Sequence, residues 1–237
     1  MNLILFSPKE LNRPLQTCDP RADHILNVLK VDLNQGFDVG QINGPKGKAK
    51  LVEVKDNELT LIYSWEEKTP PLYPINLWVS FCRPQTCRRI IQECTSLGVR
   101  SMTFFSTEKS EPGYRDSRLW KTGEAERLLI RGAEQAFCTR VPELTFKSSL
   151  ADALATKPPQ GTILALDNYE ASVALSHQEA GSRPITLAIG GERGWSKNER
   201  DSLRESGFTL VHLGTRVLRT ETACIASVSI IRNQLMD

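Results

Sequence analysis

Long apolar runs are missing from this sequence. No stretch reaches the roughly 18 apolar residues of a membrane span, so neither a transmembrane helix nor a membrane partner is expected. The opening MNLILFSPKELNRP has no basic segment ahead of its apolar stretch and reads as a first strand rather than a signal peptide. Metal-binding patterns are lacking as well. The six cysteines stand at 18, 82, 87, 94, 138 and 224, no pair is spaced C-x-x-C, and the three histidines complete no zinc pattern with them. No metal is expected. Cys94 and Cys224 sit in apolar helical patterns and read as buried thiols, a usage that suits a reducing cytoplasm. Charge of one sign is scarce: 30 Lys and Arg face 28 Asp and Glu, a net charge of +2, which by itself announces no nucleic-acid binder. Neither G-x-G-x-x-G nor a Walker A loop occurs, and INLWVSF (75–81) is followed by no glycine-rich phosphate loop, which disfavours a nucleotide enzyme of the Rossmann type. Internal repeats and low-complexity segments are absent.

What is present divides at a proline-rich segment, KTPPLYP (68–74), whose adjacent prolines favour an extended linker. Before it, LILF, FDVGQI, AKLVEV and LTLIYSW read as short strands, with a turn at Asn43, Gly44, Pro45 and Gly47 and one helical stretch from Ala22 to Leu29. This is the pattern of a small β-barrel over residues 1–70. After it, strands and helices alternate. INLWVSF, SMTFFS, TILALD, ITLAI and TLVHL are apolar strands. Gln85–Leu97 is a helix stopped by Gly98, and residues 120–137 form another. Continuous apolar strands separated by helices imply a mainly parallel sheet with helices on both faces, an α/β domain over residues 71–237. In such sheets ligands bind at the carboxyl ends of strands. Charge distribution adds a hint: residues 81–147 hold 12 Lys and Arg against 8 Asp and Glu, with arginine in excess, which suits phosphate contact as well as an ordinary solvated surface.

Two loops carry the chemistry. In the first, the strand ends at Ile189, and Gly190, Gly191 and Gly194 allow backbone to approach a ligand closely. Ser196 and Glu199 then have the spacing of a capping box that opens a helix ended by Gly207. In the second, the strand ends at Leu213, and Gly214, Arg216, Val217, Leu218, Arg219, Thr220 and Glu221 follow, with Thr220 placed to cap the final helix. Taken singly, the first loop is also what a tight structural turn requires, and Arg219 with Glu221 is also what a local ion pair requires.

Together the loops resemble a family signature. I-G-G-E-R-G-W-S-K-N-E (189–199) and L-G-T-R-V-L-R-T-E-T-A (213–223) are similar to the I-G-P-E-G-G-F-S-x-x-E and L-G-x-R-I-L-R-x-E-T-A of the bacterial 16S rRNA uridine N3-methyltransferases, the RsmE type within the SPOUT superfamily. RIIQECTSLGV, RGAEQAFCTRVPEL and HILNVLKV extend the likeness along nearly the whole chain. The resemblance implies an N-terminal PUA-like RNA-binding barrel, a C-terminal knotted α/β domain and a homodimer formed mainly through that domain and its last helix. It implies S-adenosyl-L-methionine as cofactor, held by Leu166, Ile189, Gly190, Gly191, Glu192, Gly194, Leu213, Gly214, Val217, Leu218, Thr220 and Ala223. It implies ribosomal RNA, free or in the assembled small subunit, as substrate, in the cytoplasm. Arg219 and Glu221 are the candidate catalytic residues, with Arg219 placed to stabilise charge on the uracil carbonyls. His24, Lys30, Arg131, Arg140 and Arg193 are candidates for RNA contact, with Asn27 beside the first two. Four residues depart from the family pattern: Lys30, Gly191, Arg193 and Trp195. If Arg193 takes a left-handed conformation where the family has glycine, about 1 kcal/mol of strain is expected there. These departures leave two other readings open: a diverged SPOUT enzyme acting on another rRNA or tRNA base, and an RNA-binding module that has lost catalysis.

Overall fold

A computed structural model of the chain describes residues 3–156, 158, 160–178, 181 and 183–236. It resolves into two compact units. One takes the chain up to Pro71 together with Ala133–Val141, and the other takes Leu72–Gly132 and the chain from Pro142 onward.

In the first unit β1 (Ile4–Phe6), β2 (Leu15–Gln16), β3 (Gly36–Gln41), β4 (Pro45–Lys55) and β5 (Glu58–Lys68) make a sheet of order β1-β3-β4-β5-β2. β1 runs parallel to β3, and the other pairs are antiparallel. Register shifts at Lys46/Gly47 and Leu51/Glu53 curl the long β4–β5 ribbon. At the first of these only glycine fits, because a Cβ on Gly47 would lie 2.0 Å from the Ser64 carbonyl oxygen. Asp56 and Asn57, both at positive φ, form the two-residue hairpin turn between the strands. The core is Phe6, Ile25, Val39, Ala49, Leu51 and Leu59. The expected helix starts earlier than Ala22. Asp19 caps it through the Arg21 N–H, Pro20 takes the first helical position, and α1 (Pro20–Asp23) runs on as a π-helical turn over His24–Val28. Arg21 ties this helix down by bonding Glu10, Asp19 and the Leu5 carbonyl and lying over the Phe6 ring. Burial pushes the Glu10 carboxyl up, but Arg21 and Ser7 outweigh it and hold the group at about 2.

The returning segment 133–141 completes this unit, a placement absent from the sequence reading. Glu134 accepts the Leu5 N–H, and the Thr139 carbonyl accepts that of Asn43. The Thr139 hydroxyl donates to the Gly44 carbonyl at 2.7 Å and therefore accepts from Thr69 at 2.6 Å.

The second unit runs β6 (Tyr73–Ser80), α2 (Pro84–Ser96), β7 (Val99–Phe105), α3 (Glu124–Gln135), β8 (Glu143–Phe146), α4 (Leu150–Ala155), β9 (Thr162–Leu166), β10 (Val173–Ala174), β11 (Ile185–Ile189), α5 (Lys197–Glu205), β12 (Thr209–His212) and α6 (Thr220–Met236). The last three residues of α3 belong to the first unit. The seven strands are all parallel, in the order β10-β12-β9-β11-β6-β7-β8. β11, buried along its whole length, lies between β9 and β6. Its one polar side chain, Thr186, meets Asn76 of β6 at 3.4 Å, and Asn76 in turn accepts from Ser101 and Arg100. α4 and α5 pack on the face carrying Trp78, Ala165 and Ala188. α2 and α6 pack together and against β6, β7 and β11. Gly98 and Gly207, at φ +83° and +87°, close α2 and α5. Cys94 and Cys224 are fully buried, and burial pushes the Cys94 thiol up to about 12.

Five elements differ from expectation. β6 begins at Tyr73, inside the proline-rich segment, because the Tyr73 N–H bonds the Gly98 carbonyl. The helix expected over 120–137 occupies only 124–135, after a separate 3-10 turn at Arg118–Trp120. β8, β10 and α4 have two to six residues each and are too short to show a period.

Candidate functional site

From β6 the chain moves outward to β7 and β8, then returns to β9 on the other side, with β11 threaded between. The carboxyl ends of β6, β9 and β11 therefore mark a topological switch point, where open parallel sheets leave a crevice. A cavity of about 650 Å³ lies there. The turns after four strands line it: Arg83 and Thr86 after β6, Asp167–Tyr169 after β9, Gly190–Trp195 after β11, and Leu213 with Val217–Glu221 and Ala223 after β12.

The loop after β11 is fixed at every step. At Gly190 space is tight, since a Cβ there would lie 3.1 Å from the Gly194 backbone. At Gly191 a Cβ would stand 3.1 Å from the Ser80 hydroxyl. The left-handed residue of this loop is Gly194, at φ +62°, and Arg193 has no positive φ, so the strain expected at Arg193 does not arise. The Glu192 carboxylate accepts the Arg83 N–H at 2.9 Å, and Arg193 pairs with Glu111. Trp195 is buried, stacks on Phe105, and donates its indole N–H to the Leu166 carbonyl at 2.9 Å. A phenylalanine cannot make that last bond, so the departure at 195 adds a tie between the ends of β9 and β11. The capping box is complete in both directions, and Glu199 also takes the Glu108 N–H.

Arg200 braces the same region from α5. It approaches the buried Asp167 at 3.6 Å, bonds Glu170 and the Trp195 carbonyl, and lies over the Tyr169 ring. Asp167 accepts the N–H groups of Tyr169 and Glu170. Arg204, followed by Arg200, pulls the Glu170 carboxyl below its ordinary range.

The loop after β12 is different. Among the described residues its bond before the helix is from the Gly214 N–H to His212 Nδ1. Among the described residues the side chains of Arg216 and Arg219 have no ion pair or hydrogen bond, and Val217 is 82% exposed. Thr220 does not cap α6. The Arg219 carbonyl accepts the Ala223 N–H, so Arg219 stands at the cap and Thr220 is buried in the first turn. Glu221 is nearly buried, and its ion partner is Arg89 of α2 at 3.6 Å, not Arg219.

Of the residues singled out for a cofactor, all but Gly214 line the cavity, as do Arg219 and Glu221. Gly214, at φ +102°, shapes the loop instead. The candidates for RNA contact are divided: His24, Lys30 and Arg140 belong to the first unit, Arg131 and Arg193 to the second. His24 is half-buried, Asn27 bonds Asp23, and Lys30 is exposed at φ +52°. Arg140 donates to the Asn43 carbonyl, and Arg131 is exposed on α3. Sequence reasoning passed over Arg83, Thr86, Asp167, Asn168 and Tyr169. The polar triplet Asp167–Tyr169 at the end of an apolar strand was the available signal. Among the described residues no cluster of His, Cys, Asp or Glu is arranged for a metal, and no helix is long and apolar enough to cross a membrane.

A parallel α/β sheet with a ligand-sized cavity at its switch point, one wall of it a glycine turn, defines a small-molecule-binding α/β domain. Residues 68–232 match the RNA methyltransferase domain family, and the chain belongs to that family. Within it the chain groups with the ribosomal RNA small subunit methyltransferases E. The protein of that name from Treponema pallidum is 33% identical over 98% of this chain and 90% of its own length. One from Borreliella burgdorferi is 28% identical over the full length of both. The structure of the Neisseria gonorrhoeae enzyme bound to S-adenosyl methionine is similar at a TM-score of 0.82 with 25% identity, over 98% of this chain and 97% of that one.

Proposed function

We propose that the protein methylates ring nitrogen three of a uridine in small-subunit ribosomal RNA, using S-adenosyl-L-methionine. The observation that carries this reading is the cavity at the switch point, built from the two loops whose sequences resemble those of the uridine N3-methyltransferases. The cavity fits the cofactor: it is of the right size, its glycines leave backbone accessible, and Leu166, Ile189, Leu213 and Leu218 supply an apolar wall. When bound, the cofactor supplies an electrophilic methyl group on a sulfonium.

The chain must then do two things. It must hold the uracil in line with that methyl, and it must stabilise the negative charge that spreads onto the uracil carbonyls as the ring nitrogen loses its proton. Arg219 is exposed to the cavity with its guanidinium uncommitted, which suits the second task. Glu221, held at the start of α6 by Arg89, is the carboxylate this reading assigns to receive the proton. The proton of the ring nitrogen would pass through the Glu221 carboxylate to solvent as the nitrogen takes the methyl group.

The first unit is the RNA-holding module of this reading, and the working form is a homodimer in the cytoplasm. α6 supports the dimer: beside its buried Cys224, Val228 and Ile231 it keeps Ile225 and Ile230 only partly covered. Sedimentation at micromolar concentration is expected to show twice the 26.5 kDa of one chain, and a 26.5 kDa species removes the dimer. Mass spectrometry of small-subunit RNA from cells with and without the gene tests the reaction. A methyluridine modified at ring nitrogen three should vanish with the gene. Its persistence overturns the assignment.

A further inference from the structure

A second cleft, of about 530 Å³, adjoins the first turn of α2. Arg83 lines both cavities, while Thr86 faces the larger one and Gln85 and Arg88 face the smaller. That turn is thus the partition between them. The charged residues lining the smaller cleft, Arg83, Arg88 and Arg118, are all cationic. Arg88 is partly neutralised by Glu124 at 2.6 Å, whereas Arg118 is exposed and has no ion pair among the described residues. Tyr114, with Glu192 behind it, shifts the Arg83 guanidinium above its ordinary range.

α2 has no acidic residue in its first turn, and the carboxylate at its start, Glu192 on the Arg83 N–H, lines the larger cavity rather than this cleft. At the cleft wall the Ser117 hydroxyl has no hydrogen-bond partner among the described residues.

We propose that this cleft binds a backbone phosphate of the substrate RNA, one flanking the nucleotide held in the larger cavity, with Arg83, Arg88 and Arg118 as its cationic wall. The proposal rests on the RNA methyltransferase reading above. Guanidinium groups match phosphate oxygens with paired donors, and the shared Arg83 sets phosphate and base on either side of one helical turn. A phosphate contact of this kind fixes register without reading sequence.

The test uses the full-length protein, an unmodified small-subunit rRNA transcript, and binding measured across a salt series. Arg118→Glu is expected to weaken RNA binding tenfold or more. The double variant Arg88→Gln/Arg118→Gln is expected to lower the salt slope by about 1.4, two phosphate-facing cations at about 0.7 each on a single strand. Calorimetric affinity for S-adenosylmethionine should stay within twofold of wild type in both. Because Arg118 is exposed, its single substitution leaves folding intact even if loss of the Arg88–Glu124 pair does not. Unchanged RNA affinity and slope overturn the proposal, as do an equal loss of cofactor affinity, a wild-type protein that does not bind the transcript, and competition by polyglutamate as effective as by RNA. An arginine-dependent slope in a protein that methylates nothing sustains the cleft and sinks the methyl-transfer reading. Methylation with unaltered RNA binding in the variants does the reverse.

Discussion

The loops after β11 and β12 enter the same cavity but are held in opposite ways. In the first, Glu192, Arg193, Trp195, Ser196 and Glu199 each have a named partner, and Arg200 clamps the neighbouring turn. In the second, Arg216, Val217 and Arg219 stand in solvent. The contrast teaches a division of labour. A braced loop is already in its binding shape and loses little entropy when a ligand arrives, which favours affinity. An open loop keeps its guanidinium unspent for a charge that appears only during reaction, which favours rate.

Substitutions can break this comparison. The largest effect is expected from Arg200→Ala. It strands the buried Asp167 charge, and chemical denaturation should show a loss of about 3 kcal/mol together with weaker cofactor binding. Unchanged stability would mean that the network does not brace the loop. Next comes Arg219→Ala, which should slow single-turnover methyl transfer about 100-fold while leaving melting temperature and cofactor affinity in place. A variant that turns over near the wild-type rate ends the catalytic assignment. A parallel fall in stability and cofactor affinity would make the open loop a structural latch.

Smaller changes sharpen the contrast. Trp195→Phe keeps the ring stack on Phe105 but removes the indole bond to the Leu166 carbonyl. A cost of about 1 kcal/mol, or about fivefold in cofactor affinity by calorimetry, is expected. Acidification should reach the braced side through Glu170. The folded-state pKa of Glu170 lies below its ordinary 4.5, so its stabilisation is present above about 4.5 and is lost as pH falls through the lowered value. Cofactor affinity followed from pH 7 downward should weaken in that window, and less so in Glu170→Gln. The least effect belongs to Val217→Ser, which at 82% exposure should shift stability by under about 0.5 kcal/mol in a thermal melt.

The two loops were also unequally legible. The capping box of Ser196 and Glu199 is a local device, so spacing alone revealed it. The left-handed turn was legible only to within one residue, because a run of glycines does not say which carries the positive φ, and Gly194 rather than Arg193 does. Glu221 was read against its sequence neighbour Arg219, but α2 packs on α6 and brings Arg89 closer. The polar triplet ending at Tyr169 and the arginine-rich run holding Arg83 were visible as composition but not as one site. Their place at the cavity follows from strand order, β9 beside β11 beside β6, which no period in the chain encodes. The long strands β4, β5, β6 and β11 were readable from apolar content, whereas β2 and β10, two residues each, exist only through their partners.

The return of Ala133–Val141 to the first unit sets a clock on biosynthesis. When Pro71 leaves the ribosome, the sheet that will carry Thr69 and Gly44 still lacks the Thr139 that joins them. Seventy more residues, 72 to 141, must be made before it arrives, about 4 to 14 s at ordinary elongation rates. The amino-terminal unit is therefore begun first but finished only after β6, α2 and β7 of the other unit have been synthesised. A nascent chain stalled near residue 75 should remain open to protease at the β1 edge, where Leu5 awaits Glu134, and one stalled well beyond residue 141 should not.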